Sequence, residues 1–271
     1  MKHLQNLHTH SVYCDGADTP EVLIRTAMEK GFESLGFSGH SPMWYSPYKT
    51  VTVEKTEAYK QKISQLKEEY KTTFPLYLGL EVDMYADIDM TGYDYLLGSV
   101  HYLKLGEDYV GFDRPLDVVQ NVIHTHFGGD GLAFAKAYYE AMAQLPQYGK
   151  FDIIAHFDLI TKNIEAAPLF DESSTDYLRY ATDAMEALRG KIPFFEVNTG
   201  AISRGYRTMP YPSVPLVKEL KSRGFGAIIS SDCHDARHLD LGFEEARKIL
   251  AECGFTERYI LTENGFEAVA L

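Results

Sequence analysis

The sequence predicts an α/β fold: one barrel-like domain over residues 1–271, with seven parallel strands covered on the outside by helices. Three observations predict it. Short apolar segments alternate with amphipathic ones along the whole chain. The apolar segments are hydrophobic throughout rather than at every second position, which is the pattern of strands buried on both faces. No linker, composition shift or internal repeat interrupts the alternation.

The first strand is read in Leu4-Gln5-Asn6-Leu7-His8-Thr9-His10. Side chains repeat every second residue on one face of a strand, so His8 and His10 would point the same way, about 7 Å apart, as a pincer for one metal ion. Asp15-Gly16 follows after a short bridge. Thr19-Pro20-Glu21 starts a helix, with a hydroxyl cap, proline at the first helical position and a carboxylate near the positive end of the dipole; Gly31 stops it after Lys30. Ser34 to Ser38 is a short buried strand that delivers His40. The loop after it carries Trp44, Tyr45, Pro47 and Tyr48, aromatics that either pack beside the barrel or wall a substrate pocket.

Val53 to about Lys71, with Ala58, Ile63 and Leu66 on one side, predicts an amphipathic helix. Leu76 to Asp83 is the third strand, ending in the carboxylates Glu81 and Asp83; Tyr93 to Val100 is the fourth, with His101 next. The stretch from Leu103 to Asp130 reads as irregular. Its His124 and His126 imitate the opening pair, but in a helical or loop context, and they are set aside as ligands. Leu132 to Leu145 is helical by composition, Phe151 to Asp158 is the fifth strand with His156, and Ser173 to Arg189 is a helix. Ile192 to Asn198 makes the sixth strand, Pro215 to Arg223 a helix, and Gly226 to Ser231 the seventh strand, ending in Asp232-Cys233-His234. Leu241 to Gly254 is the final helix.

Composition bounds the function. A hydrophobic share of 45% with 24% charged residues is ordinary for a globular enzyme. The net charge of -13, without clustered Lys and Arg, argues against a nucleic-acid surface and against an anionic membrane. No apolar run is long enough to span a bilayer, and Met1-Lys2-His3-Leu4 lacks the apolar stretch of a signal peptide, so a cytoplasmic location is expected. Three scattered cysteines, Cys14, Cys233 and Cys253, make no disulfide framework and no C-x-x-C zinc spacing. An anionic substrate would need a local source of positive charge such as metals.

Nearly every strand end carries a ligand-type side chain. His8 and His10, His40, Glu81, His101, His156, Asn198, Asp232 and His234 line up by strand, with Asp15 on the first loop. A catalytic zinc takes about three protein ligands, so the six imidazoles and three carboxylates among them point to two or three divalent ions. Nitrogen and oxygen donors without thiolate suit zinc, manganese or iron alike. Clustered ions activate water and stabilise attacking and leaving oxygens of an in-line displacement, which favours hydrolysis of a small-molecule phosphate ester. Neither a G-x-S-x-G elbow nor a P-loop supports covalent catalysis. Competing readings are another phosphoesterase, an amidohydrolase, or a non-catalytic metal-binding protein.

These residues resemble a known family. Leu7-His8-Thr9-His10 with Asp15-Gly16, Gly39-His40-Ser41, Gly79-Leu80-Glu81, Gly98-Ser99-Val100-His101, Ala155-His156-Phe157-Asp158 and Ser231-Asp232-Cys233-His234 look like the ordered motifs of the PHP (polymerase and histidinol phosphatase) superfamily. Length and motif context resemble its stand-alone histidinol-phosphate phosphatases. The resemblance implies a distorted (β/α)7 barrel with a trinuclear metal site, hydrolysing L-histidinol phosphate in histidine biosynthesis. It implies that His8, His10, Glu81 and Asp232 hold one ion, that Glu81, His101 and His156 hold a second, with Glu81 bridging, and that Asp15, His40 and His234 hold the third. Asp15, His40, His234 and Arg204 are the expected catalytic group. Trp44, Tyr45, Asn198, Arg204 and Arg207 are the expected substrate contacts, Arg204 as phosphate clamp. Two positions depart from the family pattern: Gly39 stands where an acidic residue often precedes the histidine, and Thr161-Lys162 where a basic residue often follows the Phe-Asp pair.

Overall fold

Seven strands form one parallel sheet in the order β1 (Gln5–Asn6), β2 (Ser34–Phe37), β3 (Leu76–Asp83), β4 (Tyr95–Ser99), β7 (Ile153–Ile154), β8 (Phe194–Asn198) and β9 (Gly226–Ser230). The computed structural model describes residues 2–46 and 51–271, so Pro47 and Tyr48 of the aromatic loop lie outside the described residues. Beyond β1 and β9 the two edges meet. Cys233 N–H donates to His8 O at 3.0 Å and His10 N–H donates to Cys233 O at 2.8 Å, closing the sheet into a barrel.

Helices return the chain between strands. α1 (Pro20–Glu29) begins as expected: the Thr19 side chain accepts from Val22 N–H, and Gly31 follows the end with φ of 79°. α2 (Val53–Tyr70), α5 (Thr175–Leu188), α7 (Val214–Ser222) and α8 (Phe243–Glu252) cover the outside. Between α2 and α5 lie α3 (Leu116–Phe127) and α4 (Gly131–Met142), and a single turn, α6 (Gly200–Ser203), follows β8. Inside the barrel, Leu7, Tyr95, Leu97, Ile153, Ala155, Ile228 and Leu261 pack as a separate small core. Tyr95 spans it, donating to Leu7 O at 2.6 Å. A Cβ at Gly36 or Gly79 would lie 2.4 or 2.3 Å from the Tyr95 ring system, so glycine is what lets the ring fit.

The structure corrects the sequence reading in three places. The stretch read as irregular contains the antiparallel hairpin β5 (Tyr102–Leu105) and β6 (Asp108–Gly111), turning at Gly106 with φ of 67°, and then α3. These strands are short and mostly unburied, so they carry little apolar pattern. The C-terminal residues form a second hairpin, β10 (Glu257–Thr262) and β11 (Gly265–Ala270), which plugs the barrel end where the strands start. Gln5 anchors it, donating to Leu261 O and accepting from Leu261 N–H, both at 2.7 Å. Finally, β1 and β7 have two residues each rather than seven or eight. Past Ile154 the backbone leaves the ladder because His156 N–H donates to the Glu196 carboxylate at 2.7 Å.

Among the described residues no helix is long and apolar enough to cross a membrane.

Candidate metal centre

The C-terminal strand ends gather the ligand-type residues at one end of the barrel, where such barrels carry their chemistry. His8 and His10 flank Thr9, which is held between β2 and Cys233, and their ring centroids lie 5.1 Å apart. Glu81, wholly buried near the end of β3, sits at the middle. Its Oε1 is 2.9 Å from His156 Nε2 and 3.4 Å from His101 Nε2, and its Oε2 is 2.8 Å from His40 Nδ1, 3.3 Å from His8 Nε2 and 3.6 Å from His10 Nε2. Asp232 Oδ1 is 3.2 Å from His10 Nε2 and 3.6 Å from His8 Nε2. Asp15 Oδ2 is 3.4 Å from His40 Nε2 and 3.3 Å from His234 Nε2. Asp232 is in the left-handed region at φ of 47°, a conformation that strains a residue with a side chain and is retained here to aim a carboxylate.

Three sets of donor atoms are close enough to surround a cation: His8, His10 and Asp232; Glu81, His101 and His156; His10, Asp15, His40 and His234. All nine residues proposed as ligands from the sequence are in one or more of them. The sets differ in detail from the expected ones, since His10 is shared between two and Glu81 stands between all three. The donors fit metal ions on a second ground. Nε2 of His8 and Nε2 of His10 are buried with no well-formed hydrogen bond among the described residues, a costly state that a cation relieves. The thiols are in none of the donor sets: Cys14 Sγ lies 3.4 Å from His10 Nδ1 and 3.5 Å from Ser11 O, and Cys233 Sγ 3.0 Å from Asp235 O.

Electrostatics divides the donors: against burial, Glu196, Asp232 and Glu81 raise the His8 pKa, and Glu81 and Asp15 raise that of His40, so protons there would have to give way to a cation. Burial, His234 and His40 push the His10 pKa down to about 3, so that imidazole is neutral. Burial pushes the Asp232 carboxyl up, but Arg204 and His8 overcome it and hold the group well below its usual range. Around the donors lies a layer of hydrogen bonds. His8 Nδ1 meets the Glu196 carboxylate at 2.9 Å, and His101 donates to Asp83 Oδ2 from its backbone at 3.0 Å and meets it with Nδ1 at 3.1 Å.

A cleft of about 220 Å³ opens over the ligands, lined also by Asp113, Lys162, Arg204 and Tyr206. Lys162 Nζ donates to Asp113 Oδ1 at 2.7 Å and lies 4.3 Å from the centre of the Tyr206 ring. Arg204 Nη2 donates to Asp232 Oδ2 at 2.8 Å, and its Nη1 is 3.1 Å from His234 Nδ1. A second cleft of about 260 Å³ shares Asp15, His40, His101 and Asp113 with the first and adds Met43, Ser46, Tyr102 and Arg114. A larger one, about 690 Å³, lies at the other end of the barrel among Lys67, Lys71, Tyr77, Asp94 and Ile260, far from any candidate ligand.

The expected substrate contacts divide. Arg204 lines the metal cleft. Asn198 does not: its Nδ2 donates to Glu196 Oε1 at 2.7 Å and its Oδ1 accepts from Gly200 N–H at 2.8 Å, so the buried amide is spent. Arg207 is also buried, donating to Thr161 Oγ1 with its guanidinium 5.3 Å from the Tyr211 ring centre, and lines neither cleft. Trp44 is 64% exposed and, with Tyr45, Lys104, Glu107, Asp108 and Tyr109, lines a separate outer groove. Tyr45 turns its hydroxyl to Asp83. His124 and His126 are exposed on α3, in none of the donor sets.

Four contributors escaped the sequence reading: Asp83, Glu196, Asp113 and the role of Lys162 in the cleft. Two carried a usable signal, since Asp83 is two residues from Glu81 and Glu196 two from Asn198, hence on the same strand faces.

A parallel barrel carrying buried, interlocked imidazole and carboxylate donors at its strand C-termini defines a barrel metalloenzyme. Residues 6–200 match the family model of the PHP domain, and the chain belongs to that family. It is similar to the probable histidinol-phosphatase of Deinococcus radiodurans, 28% identical over 268 residues that cover 94% of this chain and 95% of that one. It is similar also to the histidinol-phosphatase of Bacillus subtilis, 26% identical over 262 residues covering 88% and 96%. Among solved structures, histidinol phosphate phosphatase from Lactococcus lactis, complexed with zinc, L-histidinol and phosphate, superposes with a TM-score of 0.74 at 21% identity, covering 98% of this chain and 99% of that one. The putative histidinol phosphatase from Listeria monocytogenes gives 0.76 at 17% identity, with 89% and 99% covered.

Proposed function

We propose that this protein is a metal-dependent phosphomonoesterase that hydrolyses L-histidinol phosphate to L-histidinol and phosphate, acting in the cytoplasm in histidine biosynthesis. The observation that carries the reading is the convergence of three donor sets on Glu81 and His10, directly beneath a cleft that also holds Lys162 and Arg204. The names of the relatives similar to it along nearly their whole length agree with it.

Glu81, His101 and His156 would hold one divalent ion, His8, His10 and Asp232 a second, and Asp15, His40 and His234 a third, with Glu81 between them. Zinc, manganese and iron all suit such nitrogen and oxygen donors. When bound, the ions supply Lewis acidity toward the phosphoryl group and lower the pKa of water. The chain's own residues do the rest. Lys162, and Arg204 standing beside Asp232 and His234, line the cleft and bind the phosphoryl oxygens. Asp113, common to both clefts, holds Lys162 in place and would face the ammonium of the substrate. The second cleft takes the alcohol half, with Met43 and Tyr102 as apolar surface for its imidazole.

The test is turnover of L-histidinol phosphate with added manganese or zinc, beside nucleoside monophosphates, phosphotyrosine and p-nitrophenyl phosphate. Metal-dependent turnover with the highest kcat/KM on histidinol phosphate is expected. Equal rates across the panel would make the enzyme a general phosphoesterase, and full activity after complete metal removal would end the metal reading.

A further inference from the structure

Glu196 lies within β8, wholly buried, and touches neither cleft. Its carboxylate is ringed by donors. Oε1 accepts from His156 N–H and from Asn198 Nδ2, each at 2.7 Å. Oε2 accepts from the Ser230 hydroxyl, and His8 Nδ1 stands 2.9 Å from Oε2 and 3.1 Å from Oε1. The Asn198 amide cannot turn round to offer its oxygen, because that oxygen already accepts from Gly200 N–H at 2.8 Å. A backbone N–H has no acceptor lone pair. The site therefore demands a group that only accepts, which among side chains is an ionised carboxylate.

Facing that carboxylate, a neutral His8 carries its proton on Nδ1, which leaves the lone pair on Nε2 for a ligand role. Nε2 is the atom that is buried without a hydrogen bond, 3.3 Å from Glu81 Oε2 and 3.6 Å from Asp232 Oδ1. Through His156 N–H the same carboxylate fixes where the chain leaves β7, and so where the His156 ring meets Glu81. One side chain thus ties together two ligands from strands on different sides of the barrel.

We infer that Glu196 is a positioning residue of the metal centre, which locks His8 in the Nδ1–H tautomer with Nε2 presented to a divalent ion and sets the approach of His156. The inference rests on the metal reading above. Exchange to glutamine keeps the shape but lets an N–H₂ face His8 Nδ1, where it favours the opposite tautomer, so the His8 ring loses its lock. Partners that orient ligating histidines are worth about 10- to 100-fold in metal affinity.

The experiment titrates metal-free wild-type, Glu196→Gln and Asn198→Ala proteins with Zn²⁺, reading stoichiometry and affinity by calorimetry and elemental analysis. Circular dichroism follows folding. Wild-type protein should take up two to three ions. Glu196→Gln should fold and bind at least one of them roughly 10- to 100-fold more weakly, with activity recovering at high Zn²⁺. Asn198→Ala removes one donor to the same carboxylate without touching His8, and should bind the ions as wild type does; an equal loss in both variants would reduce Glu196 to general support of the fold. A second reading does not depend on that variant: in Zn²⁺-loaded wild-type protein labelled with ¹⁵N-histidine, the His8 imidazole, assigned by the signal that a His8→Asn variant lacks, should be protonated at Nδ1. A proton on Nε2 of that ring overturns the inference even if Glu196→Gln fails to fold. Wild-type affinity in a folded Glu196→Gln overturns it alone, whereas wild-type protein that binds no ion overturns the metal reading and the inference with it.

Discussion

Replacing Tyr45 with phenylalanine deletes one oxygen and separates two roles for the aromatic loop. Asp83, 2% exposed at the end of β3, receives the Tyr45 hydroxyl on Oδ1 and, on Oδ2, both the backbone N–H (3.0 Å) and Nδ1 (3.1 Å) of His101. Burial and Asp83 push the Tyr45 pKa far up, so the phenol is a donor at any assay pH. After the exchange the nearest remaining donor to Oδ1 is Tyr85 N–H at 3.4 Å, a weak replacement. The ring would stay where it is, stacked on Tyr109 at 4.6 Å and edge-on to Tyr102 at 5.2 Å, so little packing is lost. A buried hydrogen bond to a charged acceptor is worth about 1.5–3 kcal/mol, or a fall in Tm of roughly 3–10 °C for a domain this large. With Asp83 freer, His101 loses its anchor, and the ion held with Glu81 and His156 should bind about tenfold more weakly or worse. The assays are thermal unfolding, Zn²⁺ titration and steady-state kinetics on histidinol phosphate. A Tm within 1 °C of wild type, unchanged metal affinity and a raised KM would refute the reasoning and return Tyr45 to the substrate wall.

Lys162→Ala should leave metal content unchanged and lower kcat/KM about 10- to 100-fold on every phosphate ester alike, since it removes one charge-assisted contact to the shared group; selective loss on histidinol phosphate would instead place Lys162 beside the alcohol half. Arg204→Ala should lower both activity and metal affinity, because Arg204 also holds Asp232 at 2.8 Å, and intact metal binding with lost activity would make it a clamp alone. Trp44→Ala, in the outer groove, should change kcat/KM on either substrate by no more than about twofold, the usual reach of a surface exchange, and a loss confined to histidinol phosphate would bring the groove into the binding site. Burial raises the Asp158 pKa to about 6, so the folded protein binds this proton more tightly than the unfolded chain, and stability is lost as pH rises from the unfolded value near 4 through about 6. Asp158→Asn removes that dependence, and its stability relative to wild type should climb by about 3 kcal/mol between pH 4 and pH 7 in denaturant titrations; a flat difference would show that Asp158 titrates normally.

What was readable in the sequence and what was not follow from the reach of the patterns. Strand periodicity is local, and at the C-termini of parallel strands it places a side chain in the barrel mouth from a few neighbours alone; His8, His10, Glu81, His101, His156 and Asp232 need no knowledge of any other segment to be found. The same alternation puts Asp83 and Glu196 on ligand-bearing faces, yet periodicity cannot say whether a polar side chain meets an ion, a substrate or another side chain. The family resemblance makes Asn198 a substrate contact, but its partners, Glu196 and Gly200 N–H, already occupy the amide. Lys162 and Asp113 lie beyond any such pattern, 49 residues apart, one in a turn after β7 and the other after a hairpin whose strands are too exposed to read. Yet Lys162 stands where a chain of net charge -13 most needs help with an anion. The donors sit on the rigid ends of strands, while the residues that would tell one phosphate ester from another come from the connections between them, where insertions and exchanges cost the barrel least. Substrate choice in this protein is therefore to be sought in the segments after β2 and β4, by exchange of Met43, Tyr102 and Asp113, with Glu196 and Asp83 left in place to hold the ligands.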